Sequence, residues 1–98
     1  MAQTDILPAN TTAATSSAVT VAAGASVNLV AYVATGGVWP QGLKLQITMD
    51  SPSTNPDTVI GWLDASDPDT AGRTVQGPGT FNVVRPKCGV SVGAYSEA

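Results

Sequence analysis

The chain has 98 residues, enough for one domain, and its 43% hydrophobic content is drawn largely from Ala and Val. Four basic residues against seven acidic ones give a formal net charge of −3, and only 11% of the residues are charged. Charge this sparse and unclustered argues against a nucleic-acid surface and against an anionic-membrane binder. Near-average apolar content with low charge is also unlike the composition of disordered chains.

Large apolar side chains are few, so the core material is thin. Small domains of this kind usually compensate with disulfides, metals or assembly. Cys88 is the single cysteine and there is no histidine. An internal disulfide is therefore ruled out, and a structural zinc site is not expected. Assembly onto something larger is the remaining route to stability. The first residues show no basic stretch followed by an unbroken apolar run, so a secretory signal is not expected. Ser, Thr, Asn28 and Gly24 interrupt the most apolar region, Ala13 to Ala34, which argues against a membrane span. The expected setting is a cytosol in which Cys88 stays reduced.

Residues 1–16, including ILPANTTAATS, are small, polar and turn-prone, and read as an extended N-terminal arm. Residues 17–98 read as the folded domain, and their dominant period is two. Ala18 to Ala22 is a short strand candidate. Val27, Leu29, Ala31 and Val33 then alternate with Asn28, Val30, Tyr32 and Ala34. Leu43, Leu45, Ile47 and Met49 alternate with Lys44, Gln46, Thr48 and Asp50, the clearest strand with one buried face. Thr58 to Asp64 and Arg73 to Gln76 are shorter candidates. Phe81 and Val83 alternate with Thr80 and Asn82, and Val90, Val92 and Ala94 with Ser91, Gly93 and Tyr95. Turn signals separate these runs at 23–25, 36–37, 51–57, 66–72, 77–79 and 86–89. About seven short strands in a hundred residues predict an all-β, antiparallel sandwich. No segment carries a capped stripe of period 3.6, and the Ala-rich runs are threaded with Thr, Ser, Val and Gly, which weaken a helix.

Several clusters invite a chemical reading. Gly77-Pro78-Gly79 resembles a phosphate-cradling loop only superficially. A Walker loop needs Lys and Ser/Thr at the head of a helix, whereas a strand follows here and Pro78 removes a donor. The expected structure is a tight turn with Pro78 at its first central position and Gly79 at positive φ. The run Asp64 to Asp69 has the carboxylates a calcium site wants, but it fails the EF-hand spacing, and Asp is common in loops as a local cap. Asp50, Asp57, Asp64, Asp67, Asp69 and Glu97 contain possible acid/base pairs, all at strand ends or in polar loops where solvated carboxylates are ordinary. Without His, and with Cys88 lacking a base partner, the usual nucleophilic triads are absent. The chain is not expected to be an enzyme, and no metal or cofactor is expected.

Trp39 lies in a loop, Gly37 to Gly42. It is open to three roles: a protein contact, a lid on the core, or a ligand platform. Trp39 and Trp62 could together form a sugar-stacking platform, but Trp62 lies inside a strand and is expected in the core. Arg85 and Lys87 flank Pro86. They read either as solvated strand-end charges or as an electrostatic contact to an acidic neighbour. Cys88 reads as a small, semi-buried thiol.

Three stretches together carry a resemblance: ATSSAVTVAAGASVNLVAYV (Ala14 to Val33), VQGPGTFNVVRP (Val75 to Pro86) and VSVGAYSE (Val90 to Glu97). Their pattern of strands and glycine turns resembles small virion-associated proteins of tailed bacteriophages. The resemblance spans most of the chain and carries no catalytic residue. It implies an Ig-like sandwich and a structural role on the capsid exterior, as a decoration (cement) protein assembled in the host cytoplasm. Its implied partners are the major capsid protein and further copies of the chain. A tail or fibre location, or a carbohydrate-binding adhesion role, is the alternative. An N-terminal arm can pack against its own domain's sheet, or it can add a strand to a neighbour or drape over it. That makes Ile6 and Leu7 candidate contact residues, together with Trp39, Arg85 and Lys87.

Overall fold

A computed structural model describes residues 3–34, 37–51, 58–65 and 71–98. These form nine strands: β1 (Gln3–Asn10), β2 (Ala14–Thr15), β3 (Val19–Val21), β4 (Ser26–Val33), β5 (Leu45–Ser51), β6 (Thr58–Leu63), β7 (Gly72–Gln76), β8 (Gly79–Arg85) and β9 (Val92–Glu97). One sheet has the order β1-β9-β4-β7. The other has the order β2-β8-β5-β6, with β3 also pairing β8. All strand pairings are antiparallel. The protein is thus an all-β antiparallel sandwich.

The seven strands expected from period two are all present, and the segment read as an arm contributes two more. Residues 3–10 run as β1 along β9, with Gln3 opposite Glu97 and Asn10 opposite Val92. Ile6 and Leu7 are 5% and 3% exposed and belong to the core. They are consecutive in sequence, yet both are buried. The register of β1 shifts between Asp5 and Leu7, and such an irregularity breaks the strict alternation of faces. The segment is therefore extended and docks on its own sheet. Ala14 and Thr15 (β2) and then Val19 to Val21 (β3) pair in succession along β8.

The core lies between the sheets. Leu29 and Ala31 of β4 and Val92 and Ala94 of β9 face Leu45 and Ile47 of β5 and Phe81 and Val83 of β8. Alternate residues of each strand meet in one apolar layer, as the sequence period requires. Burying a side chain of this size stabilises the fold by about 1.5–3 kcal/mol. Of the eight connections between consecutive strands, only β2–β3 and β5–β6 stay within a sheet; the other six cross between sheets.

The Gly77-Pro78-Gly79 turn is one of these crossings, and its geometry differs from the expectation. The Gly77–Pro78 peptide is cis, and the glycines at positive φ are Gly24 and Gly42 among the described residues. Gly79 is already in β8, opposite Val21, so the ladder holds it extended. Gly77 is the residue that must be glycine. A Cβ there would lie 2.1 Å from the Ala22 carbonyl oxygen, while its N–H donates to the Ala25 oxygen at 3.0 Å. The turn is thus packed against the β3–β4 turn, as a piece of architecture.

At one side of the sandwich, β7 and β6 are the outermost strands of their respective sheets. Arg73 of β7 lies across the gap. A Cβ on Gly61 would come within 3.1 Å of its Cδ, and its Nε donates to the Trp62 carbonyl at 3.1 Å. The missing side chain at Gly61 leaves room for the arginine stem.

Candidate interaction surface

Leu45 and Ile47 point inward, so Lys44 and Gln46 point outward from β5. Gln46 sits directly opposite Val84 on one side and Trp62 on the other. Leu63 is fully buried, which places its neighbour Trp62 on the outer face. Trp62 is 41% exposed and Ile60 is 43% exposed. The expectation that Trp62 belongs to the core is therefore corrected. Its strand parity is set by Leu63, and its ring stands on the outside of the sheet.

Trp62, Gln46, Val84, Lys44 and Pro86 line a recess of about 260 Å³. A second recess, of about 410 Å³, shares Lys44 and Pro86 with it and continues past Lys87 and Cys88 to Gln41. The two share Lys44 and Pro86, so the groove they form starts on the outer face of sheet β2-β8-β5-β6 and runs off its end between segments 40–44 and 86–89. Lys44 is half-exposed and sits 3.6 Å from the buried carboxylate of Asp64. Lys87 is exposed.

The other sequence candidates lie elsewhere. Trp39 is half-buried against the core, and its Nε1–H donates to the Leu43 carbonyl at 3.1 Å. The Leu43 N–H donates to the Pro40 carbonyl, and Gly42 at φ +82° closes this turn. The geometry is that of a lid on the sandwich end. Ile6 and Leu7, as core residues of their own domain, are not available to a neighbour.

Arg85 departs from both readings of it. It is only 2% exposed. Its Nε donates to the Thr12 carbonyl at 2.6 Å, and its Nη1 to the carbonyls of Pro8 and Val92. Phe81, Val83 and Arg85 share the inward parity of β8, so the side chain enters the interior at the sandwich end. There its donors meet backbone acceptors rather than water or an acidic neighbour. Cys88 is a free, semi-buried thiol whose Sγ lies 3.2 Å from the Val90 carbonyl oxygen.

The acidic run Asp64 to Asp69 is described only as far as Ala65, so its calcium reading lies outside the described residues, as do Asp57, Asp67 and Asp69 of the acid/base candidates. Among the described residues, no group of three or more His, Cys, Asp and Glu converges as a metal site would require. No helix of the described residues is long and apolar enough to cross a membrane.

The functional-looking residues without a signal of residue type are Lys44 and Gln46, and Trp62 joins them from its expected place in the core. Their signal was present as parity: each occupies the outward position beside a residue that the core requires. Compared with protein-family models, curated proteins and solved structures, the chain matches none.

Proposed function

We propose that this chain is a structural binding protein of a tailed-bacteriophage particle, an Ig-like capsid decoration (cement) protein that attaches to the major capsid protein and to its own copies. The observation that carries the reading is the resemblance of its three sequence stretches to such proteins. Those stretches coincide with structural units: Ala14 to Val33 is β2 through β4, Val75 to Pro86 spans the end of β7 and all of β8, and Val90 to Glu97 leads into and contains β9. The outer sheet face supports a binding role. Exposed Trp62 opposite polar Gln46, with exposed Ile60 on the same strand, makes the mixed surface from which protein interfaces are built. Repeated by symmetry on a shell, modest contacts of this kind add up through avidity.

The test is localisation. Purified protein added to empty shells of its phage should co-sediment to saturation, and a density map should place it outside the shell. Density confined to the tail or fibre would reject the cement role and keep the structural class. No density anywhere in the particle would reject both.

The exposed Trp62 ring beside the Gln46 amide favours one second reading, a carbohydrate-binding adhesion module, since an indole face and an amide suit a sugar ring. Binding to host-surface glycans that is lost in Trp62→Ala would establish it in place of the first.

A further inference from the structure

From the placement of charge we infer that the groove running from Trp62 to Lys87 docks an acidic, extended peptide segment of a partner protein, with one apolar residue seated on the Trp62 indole. The inference rests on the reading of this chain as a protein-binding module and names the chemistry of what that module holds.

The chain carries four basic residues. Arg85 is spent inside the fold on the carbonyls of Pro8, Thr12 and Val92. Arg73 lies across the β7–β6 gap and donates to the Trp62 carbonyl. The remaining two, Lys44 and Lys87, both line this groove. Counting Asp64, which pairs with Lys44 from beneath, the groove carries one net positive charge among the described residues. The chain as a whole has a formal net charge of −3. Of the three exposed cations, Lys44 and Lys87 thus share one surface of an acidic protein, while Arg73 lies at the β7–β6 edge. The two lysines draw an acidic segment there, which is how charge complementarity selects a partner and its orientation.

The rest of the lining fits a peptide. Gln46, exposed Gln41 and the backbone of Gly42 and Gly89 offer hydrogen-bond partners along the length of the groove. Trp62 and Val84 offer an apolar seat at one end, and aromatic seats of this kind carry most of the energy at interfaces. The groove is open, and its two adjoining recesses leave room for successive residues of an extended chain rather than forming a closed pocket for a small molecule.

The experiment is a chemical-shift titration of the ¹⁵N-labelled full chain with three probes. The first is a short peptide in which Asp and Glu flank a central Leu. The second is the same peptide with Asn and Gln in place of Asp and Glu. The third is an oligogalacturonate, which carries carboxylates on a sugar. The acidic peptide should shift residues of the groove, bind about ten-fold more tightly than its amide counterpart, and weaken as salt is raised. Lys87→Gln and Trp62→Ala should each reduce that binding. Lys44→Gln removes the partner of buried Asp64 and tests the fold as much as the groove, so Lys87→Gln, at an exposed site, is the decisive charge variant. Equal binding of the acidic and amide peptides, or shifts away from the groove, would overturn the inference. Preference for the oligogalacturonate over the peptide would also overturn it and assign the groove to a glycan. The two levels fail separately: particle binding that survives in Lys87→Gln and Trp62→Ala sinks the groove and leaves the proposed function standing, whereas peptide binding with no attachment to particles does the reverse.

Discussion

Arg85 of β8 donates from Nη1 to the carbonyl of Val92 in β9, so one side chain ties the two sheets together at the end of the sandwich. The same guanidinium holds Pro8 at the end of β1 and Thr12 in the crossover that follows. A buried arginine with no carboxylate beside it among the described residues is tolerable when carbonyl dipoles take its protons. Arg85→Ala would leave buried carbonyls without donors and is expected to cost about 3 kcal/mol or more. Arg85→Lys should recover only part of this, since an ammonium lacks the planar fork that reaches several acceptors at once. Urea unfolding of the two variants checks the claim. Wild-type stability in Arg85→Ala would show that the contacts are incidental.

The packing of Gly77 predicts a contrast between two glycines. A methyl group there would run into the carbonyl oxygens of Ala22 and Val21, at 2.1 and 2.5 Å, and backbone cannot swing aside as a side-chain tip can. Gly77→Ala should cost about 2 kcal/mol or more. Gly89 has nothing within 4 Å of the corresponding position, so Gly89→Ala should fall within about 0.5 kcal/mol of wild type. Thermal melts of both variants measure this, and equal melting temperatures would refute it.

Docking of β1 on its own sheet predicts that the N-terminal segment is indispensable to the fold. Removing residues 1–10 takes away Ile6 and Leu7, about 1.5–3 kcal/mol each, together with the β9 ladder. Domains of this size have about 5–15 kcal/mol in all. The truncated chain should be unfolded or aggregated by circular dichroism and sedimentation. The milder Leu7→Ala should fold but lose about 2–5 kcal/mol. A free, mobile arm would make both changes silent.

The two tryptophans should separate by quenching. Trp62 is 41% exposed on the outer face, and Trp39 is packed on the core with its N–H bonded to Leu43. In single-tryptophan variants, the Trp62 emission should be quenched by acrylamide far more than that of Trp39. Trp39→Phe loses the bond to Leu43 and should cost about 1 kcal/mol, whereas Trp62→Phe should leave stability unchanged. Equal quenching would mean that the assignment of lid and exposed face is reversed.

Most of the strands were legible because a half-buried strand writes its burial into alternate residues. Leu45 and Ile47, Leu29 and Ala31, Phe81 and Val83 all lie on the side their spacing predicts. The same rule, carried one step further, would have found two of the misread side chains. Arg85 continues the inward parity of Phe81 and Val83, and Trp62 takes the outward parity beside Leu63. Residue type overrode position in both readings: an arginine suggested solvent and a tryptophan suggested core. Ile6 and Leu7 were beyond that rule, since a register shift buries two neighbours at once. Gly79 was misread because the turn was judged from Pro and Gly alone, without the pairing to Val21 that keeps the residue extended.

The sequence by itself determined the fold class, the faces of the strands and the lack of an internal disulfide, because these follow from local periodicity and from which residue types are present. Only the tertiary structure decided that the N-terminal segment is the edge strand of its own sheet, and that Arg85 is an internal clamp. It likewise decided that Lys44 and Lys87, forty-three positions apart by their numbering, line one groove with Trp62. Each of those facts depends on which strand lies beside which. Six sheet-to-sheet crossings set that order, and their pairing is a property of the whole chain's packing rather than of any stretch of it.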